Sequence, residues 1–127
     1  MKTDNRPTVL IVDDTPDNIT LLSNLLKDKY NTKVATSGAT ALQIVASAKV
    51  DLVLLDIMMP EMDGFETCRR LKADPRSAAI PVVFLTAKSQ PEDEALGRGV
   101  GAVDFLRKPV NPGQLFARVE AHLRQIN

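Results

Sequence analysis

The sequence has one cysteine, one histidine and no tryptophan, and neither sign of charge predominates. The lone cysteine, Cys68, excludes an internal disulfide framework, which fits a reducing compartment. Sixteen basic residues balance sixteen acidic ones, so no charge bias favours binding to nucleic acid or anionic membrane. No apolar run approaches the roughly 20 residues of a membrane helix, and residues 1–7 lack the apolar stretch of a signal peptide. We therefore expect a soluble, cytoplasmic protein.

The length of 127 residues, with 44% hydrophobic and 25% charged residues, predicts one globular domain over residues 1–127. Its core is expected at about residues 8–124. Short apolar runs occur at residues 9–12, 52–55, 82–85 and 102–106, and a weaker one at 33–36. Runs with little period-2 alternation are typical of strands buried on both faces of a parallel sheet. The weaker run is predicted to lie at an edge.

A helix-start signal opens each stretch between or after these runs. The signals are Thr15-Pro16, Ser37, Asp63 with Glu66, Ser89 with Glu92, and Asn111 with Gln114. Apolar residues then recur at helical spacing. Five strands alternating with five helices predict an α/β fold with right-handed crossovers. Three glycines in residues 96–101 predict a frayed end to the fourth helix, because glycine disfavours helix interiors.

Chemically distinctive residues fall at the predicted carboxyl ends of the strands, where ligands of open parallel sheets bind. They are Asp13 and Asp14 after the first strand, Asp56 after the third, Thr86 after the fourth and Lys108 after the fifth. Two carboxylates about 4 Å apart repel by roughly 4 kcal/mol at an effective dielectric near 20, and a hard cation such as Mg²⁺ relieves this. A carboxylate can also form an aspartyl-phosphate, while lysine and threonine bind phosphate oxygens. The set indicates phosphoryl transfer.

Four segments, residues 9–14, 51–64, 81–87 and 104–109, together resemble the response-regulator receiver domains of two-component signalling. The resemblance extends from about residue 9 to 123. It implies a flavodoxin-like (βα)5 doubly wound sandwich with strand order 2-1-3-4-5 and five flanking helices. It also implies a signalling switch rather than an enzyme, with self-phosphorylation and self-dephosphorylation as its only chemistry.

The resemblance further assigns roles to individual residues. It implies that Asp56 accepts a phosphoryl group from a sensor histidine kinase, a phosphotransfer protein or a small phosphodonor. It implies that Asp13, Asp14, Asp56 and the backbone carbonyl of Met58 bind Mg²⁺. In the same resemblance Lys108 contacts the acyl phosphate.

A switch is implied as well, in which Thr86 moves to bond a phosphoryl oxygen and Phe105 turns inward. The Lys108–Pro109 peptide bond is expected to be cis. The fourth helix, fifth strand and fifth helix form the implied partner surface, for a downstream target, a fused output domain or a homodimer. Because no output domain follows residue 127, we expect either a single-domain receiver or the front piece of a longer regulator. The segment 14–18 resembles receivers joined to cyclic-dinucleotide enzymes or histidine kinases.

Three other classes of protein fit the sequence less well. A phosphatase of haloacid-dehalogenase type needs a second aspartate two residues after the nucleophile, where this chain has Met58. A degenerate, contact-only receiver has usually lost an acidic residue, the phosphoacceptor or the lysine, and all of these are present. A flavin-binding domain is disfavoured because the loop at residues 13–18 is acidic. Cys68 is predicted to be an inert core residue and His122 a partly exposed surface residue.

Overall fold

The computed structural model describes residues 6–87 and 91–124. Strands and helices alternate strictly along the chain. They are β1 (Thr8–Val12), α1 (Pro16–Leu26), β2 (Asn31–Ala35), α2 (Gly38–Ser47), β3 (Leu52–Asp56), α3 (Gly64–Ala73), β4 (Val82–Thr86), α4 (Pro91–Gly99), β5 (Asp104–Arg107) and α5 (Pro112–Arg124). The strands form one parallel sheet in the order β2-β1-β3-β4-β5. The predicted α/β fold and strand order are therefore confirmed.

The sheet separates two apolar layers, because successive side chains of each strand point to opposite faces. Helices α1 and α5 pack on one face together with Val9 and Ile11 of β1. Helices α2 and α3 pack on the other face with Leu10 and Val12. Every residue of β1, β3 and β4 is buried, which explains why these runs show no polar alternation. Strand β2 lies at an edge, as predicted, and exposes Lys33 and Val34.

Three of the predicted helix starts form their caps. The side chains of Ser37, Asp63 and Asn111 each accept a hydrogen bond from the backbone amide three residues on. The Thr15 side chain makes no such bond at the start of α1. The amide of Asn18 instead donates to the backbone carbonyl of Thr15 at 3.1 Å, and Asp13 accepts a bond from the amide of Thr15 at 2.9 Å. The predicted signal at Ser89 lies outside the described residues.

The glycine-rich segment that was predicted to fray includes the end of the fourth helix, and its fraying stays a prediction. Helix α4 continues through Gly97 to Gly99, and a turn at Val100 and Gly101 leads towards β5. Gly97 is buried. A side chain at this position would collide with Phe105, so the glycine has a steric role that helix propensity does not reveal.

Parallel pairing brings the carboxyl ends of the strands to one edge of the sheet. Val12 pairs with Leu55, and Asp56 pairs with Leu85, so the residues that follow these positions are neighbours. Among residues 6–87 and 91–124, the helices all lack the length and apolarity that crossing a bilayer requires.

Candidate functional site

Three carboxylates meet at the carboxyl edge of the sheet. Oxygen atoms of Asp13, Asp14 and Asp56 lie within 4.8 Å of one another. Asp13 and Asp56 are buried and Asp14 is exposed, so the cluster has one open side. The amide of Asp13 donates to the carbonyl of Ala35 in β2, at 3.1 Å, which holds the backbone in position after β1 ends. These three residues therefore lie close together, as the sequence predicted.

Lys108 enters the same cluster from the chain after β5. Its backbone amide donates to the carbonyl of Thr86 at 2.8 Å. Its ammonium lies 2.9 Å from Oδ2 of Asp13 and 3.2 Å from Oδ1 of Asp56. The lysine therefore bridges two buried carboxylates that would otherwise repel each other.

The surroundings of the cluster raise the pKa values of both Asp56 and Lys108. Burial and then the charge of Asp13 raise the pKa of Asp56, and the opposing effects of Lys108 and of the Met58 amide do not cancel this. Burial disfavours the charged form of Lys108. The hydrogen bond to Asp13 and the charge of Asp56 nevertheless raise its pKa above the ordinary value. Asp56 thus carries an ionisation penalty that a further cation would relieve.

Gly64 shapes the loop that follows Asp56, a role that sequence reasoning missed. Its amide donates to the carbonyl of Ile57 at 2.8 Å. A Cβ at this position would overlap the carbonyl oxygen of Asp56 and lie 2.8 Å from Cα of Ile57. Only glycine therefore allows the first turn of α3 to rest against the backbone of Asp56. The available signal was the glycine directly after the helix cap Asp63.

The remaining predicted site residues lie around the cluster. Thr86 is buried at the end of β4, and Phe105 is half-buried on the neighbouring strand β5. The rings of Phe105 and Phe84 have their centroids 5.7 Å apart. Met58 is 75% exposed, and its backbone amide donates to Oδ1 of Asp56 at 3.4 Å. The Lys108–Pro109 peptide bond is cis, as the resemblance implied.

A partly apolar surface adjoins the cluster on the α1 side. A small cavity there is lined by Asn18, Leu21, Leu22, Lys108, Pro109 and Val110. Leu21 is 50% exposed although it is a large apolar residue. The Lys108 that reaches Asp13 and Asp56 is thus also part of a surface that a second molecule can contact.

His122 is partly exposed, as predicted, and it contacts a carboxylate. Its side chain is 14% exposed, and Nε2 lies 2.9 Å from Oδ2 of Asp104. Arg118 donates to both oxygens of the same carboxylate, at 2.8 and 2.7 Å. Burial alone would raise the pKa of Asp104, but the bonds from His122 and Arg118 hold it below its ordinary value. The sequence had no signal for this β5–α5 contact, because its members are 14 and 18 residues apart.

Cys68 is buried on α3, and burial raises the pKa of its thiol to about 11. A thiol that is both enclosed and protonated is a poor nucleophile. This agrees with its predicted place as an inert core residue.

The fold and the site together define a doubly wound α/β protein with a carboxylate–lysine cluster at the carboxyl edge of its sheet. Residues 9–120 match the family described as the response regulator receiver domain. The chain belongs to this family, whose members act in two-component signalling and generally bind Mg²⁺ at such an acidic pocket.

Similar proteins agree with this membership. The chain is 53% identical over 117 residues to a protein of Vibrio cholerae named a probable cyclic di-GMP phosphodiesterase, covering 92% of this chain and 26% of that protein. It is 42% identical to the DNA-binding response regulator MtrA of Mycolicibacterium smegmatis, over 94% of this chain and 52% of MtrA. The solved structure of the chemotaxis protein CheY4 of Vibrio cholerae has a TM-score of 0.88 and 32% identity, over 91% of this chain and 98% of that one. The chain thus spans about a quarter of the length of the Vibrio cholerae phosphodiesterase and about half of the length of MtrA.

Proposed function

We propose that this receiver accepts a phosphoryl group on Asp56 in a Mg²⁺-dependent reaction and acts as a conformational switch. The observation that carries the proposal is the cluster of Asp13, Asp14 and Asp56 together with the Lys108 ammonium, which lies 3.2 Å from Oδ1 of Asp56. These groups supply a nucleophile, an oxygen-rich cation site and a positive charge for a phosphoryl oxygen.

In the proposed reaction, a carboxylate oxygen of Asp56 attacks the phosphorus atom of the donor. An acyl-phosphate bond forms, and the bond from phosphorus to the donor breaks. The electron pair of that bond leaves with the donor, either the imidazole of a phosphohistidine or the acetate of acetyl phosphate. Lys108 neutralises charge on the transferred group, which matches the requirement for positioning and electrostatic stabilisation in phosphoryl transfer.

The donor set fits Mg²⁺, which prefers hard oxygen ligands and is bound by one or two carboxylates together with phosphate oxygens. Asp13, Asp14 and Asp56 would hold the ion with the backbone carbonyl of Met58. Its chemical contribution is to neutralise the carboxylates and the incoming phosphate. The raised pKa of Asp56 supports the need for such a cation, because burial and the charge of Asp13 together disfavour the ionised carboxylate.

We further propose that Thr86 and Phe105 transmit the change. Thr86 ends β4 and directly follows Leu85, the residue that pairs with Asp56, so its hydroxyl would move to donate to a phosphoryl oxygen. Phe105 lies on the next strand and turns as Thr86 moves. The output surface is the face of α4, β5 and α5, which would contact a downstream target, a fused output domain or a second copy of the chain.

The phosphodonor in the cell is proposed to be a sensor histidine kinase or a phosphotransfer protein. The half-exposed Leu21 and the cavity beside Lys108 support this, because a donor protein must reach Asp56 across this surface.

The output is proposed to be of cyclic-dinucleotide type, on the strength of the Vibrio cholerae relative and of the resemblance at residues 14–18. The absence of direct nucleic-acid contact stays a prediction, since MtrA is named a DNA-binding regulator. Cytoplasmic location stays a prediction as well.

The test is the intact mass of the protein after incubation with acetyl phosphate, with and without Mg²⁺. We expect one phosphoryl adduct on the wild type in the presence of Mg²⁺ and none on Asp56→Asn. Asp17→Asn, which alters an exposed carboxylate in the first turn of α1, is the matched control and should retain the adduct. An adduct on Asp56→Asn would contradict the assignment. If the wild type forms no adduct with acetyl phosphate and no complex with beryllofluoride, a contact-only receiver is the better account.

A further inference from the structure

Helix α4 packs against Phe105 at a position that has no side chain. Gly97 is buried in α4, and a Cβ there would lie 2.6 Å from Cζ and 2.8 Å from Cε2 of Phe105. It would also lie 3.0 Å from Cδ2 of Phe84. Carbon atoms in contact are ordinarily about 3.5–4.0 Å apart, so the ring of Phe105 occupies space that any other residue at position 97 would need.

The next residue of α4 contacts the same ring. The guanidinium carbon of Arg98 lies 5.3 Å from the ring centroid of Phe105, within the range of a cation–π contact. Phe105 is therefore in contact with α4 through two consecutive residues and with the core through Phe84. A change in the position of this ring therefore alters its packing against α4.

A row of aromatic rings connects this contact with the loop after Asp56. Phe84 lies between Phe105, at 5.7 Å, and Phe65, at 5.3 Å in an edge-to-face arrangement. Phe65 directly follows Gly64, whose amide is bonded to the carbonyl of Ile57. The packing is thus continuous from the β3–α3 loop to α4.

We propose that Gly97 is a positioning residue for Phe105, so that α4 and the Phe105 ring move as one unit when the receiver is phosphorylated. The part of this inference that concerns phosphorylation rests on the proposed function. The steric part, that glycine at position 97 determines where the ring lies, does not.

Gly99 provides a matched control within the same helix. A Cβ at Gly99 would meet no heavy atom within 4 Å among the described residues. Alanine favours the helical backbone over glycine at both positions, whereas only alanine at position 97 collides with the ring. The difference between Gly97→Ala and Gly99→Ala therefore isolates the contact with Phe105.

The steric part is tested by a double-mutant cycle with Phe105→Leu, which removes Cζ and Cε2 of the ring. We expect Gly97→Ala to lower the thermal unfolding midpoint by roughly 3–8 °C relative to Gly99→Ala. In the Phe105→Leu background the two alanine variants should unfold within about 1 °C of each other. If Gly97→Ala and Gly99→Ala behave alike in both backgrounds, Gly97 does not position Phe105.

The coupling is tested by amide NMR spectra recorded before and after phosphorylation with acetyl phosphate and Mg²⁺, with the adduct verified by intact mass. In the wild type and Gly99→Ala, the amides of Arg98, Val100 and Phe105 should shift together. Gly97→Ala should form the adduct to the same extent, yet the shifts of Arg98 and Val100 should fall at least twofold. Full wild-type shifts in Gly97→Ala would overturn the coupling.

These outcomes separate the two proposals. If the wild type gives no adduct, the proposed function fails, and the stability cycle still decides whether Gly97 positions the ring. If the adduct forms and α4 does not respond in the wild type, the phosphoacceptor stands and the proposed coupling is wrong.

Discussion

The ammonium of Lys108 lies closer to Asp13 than to the proposed phosphoacceptor, at 2.9 Å from Oδ2 of Asp13 and 3.2 Å from Oδ1 of Asp56. One cation therefore offsets two buried carboxylates, and the nearby Asp14 adds a third negative charge at the open side. The excess negative charge of this cluster favours binding of a cation together with a phosphate, and it lowers the stability of the fold when neither is bound.

Asp56→Asn is expected to stabilise the fold in Mg²⁺-free buffer at pH 7, by on the order of 1 kcal/mol, because it removes repulsion with Asp13. The pKa of Asp56 is raised in the folded state, so its contribution to stability is fully present below the unfolded pKa and is lost as pH rises through the folded pKa. The gap between wild type and variant should therefore shrink as pH falls below about 4. Urea unfolding at several pH values measures this difference in the free energy of unfolding. Asp17→Asn should show no comparable increase in stability.

Adding Mg²⁺ should make the wild type more stable than Asp56→Asn. An ion that binds only the folded state stabilises it by mass action, so millimolar Mg²⁺ should raise the unfolding midpoint of the wild type. The rise should be much smaller in Asp56→Asn, which has lost one of the three carboxylates. Equal rises in both proteins would mean that the ion binds elsewhere.

Lys108→Met should destabilise the protein by about 2–4 kcal/mol at pH 7, because it leaves Asp13 and Asp56 without their cation. The lysine side chain is 21% exposed, so the effect should fall below that of a fully buried pair. Combining the change with Asp56→Asn should recover part of the loss, since one of the stranded charges is then removed. Lys49→Met, which alters an exposed lysine, should cost less than about 0.5 kcal/mol.

Asp104→Asn should cost about 1–3 kcal/mol at pH 7, because it weakens charge-assisted bonds from Arg118 and His122. The pKa of Asp104 is lowered in the folded state, so its contribution is present above the unfolded pKa and is lost as pH falls through the folded pKa. Unfolding experiments should show the two proteins converging in strongly acidic buffer. Asp28→Asn, at an exposed position, is the control and should follow the wild type at every pH.

Cys68 should resist alkylation in the folded protein at pH 8, because it is buried and its pKa is raised to about 11. Labelling by iodoacetamide, followed by intact mass, should proceed at the rate of local or global unfolding. The same protein in urea should label at the rate of a free thiol. Rapid labelling without denaturant would show that the α3 face opens in the native state.

The carboxyl-edge site was predictable from sequence because parallel strands bring their ends together wherever the chain alternates strand and helix. Asp13, Asp56 and Lys108 each follow or end a strand, so their convergence required no knowledge of side-chain packing. The strand order itself came from the family resemblance, because alternation alone does not distinguish one winding of the sheet from another.

Packing between elements was not predictable in the same way. Glycine at position 97 reads as a helix defect in sequence, whereas in the fold it makes room for Phe105. Helical spacing predicted a partly exposed His122, but it gave no information about the contact with the Asp104 carboxylate on β5. Both of these contacts join α4 or α5 to β5.

The most direct test of the central claim is to locate the phosphoryl group chemically. Borohydride reduces an acyl phosphate of aspartate to homoserine, so peptide mapping after phosphorylation and reduction identifies the modified carboxyl group. Homoserine at position 56, formed only when acetyl phosphate and Mg²⁺ are both present, is the predicted result. Homoserine at position 13 or 14 with Asp56 unmodified would contradict the assignment of Asp56 as the phosphoacceptor.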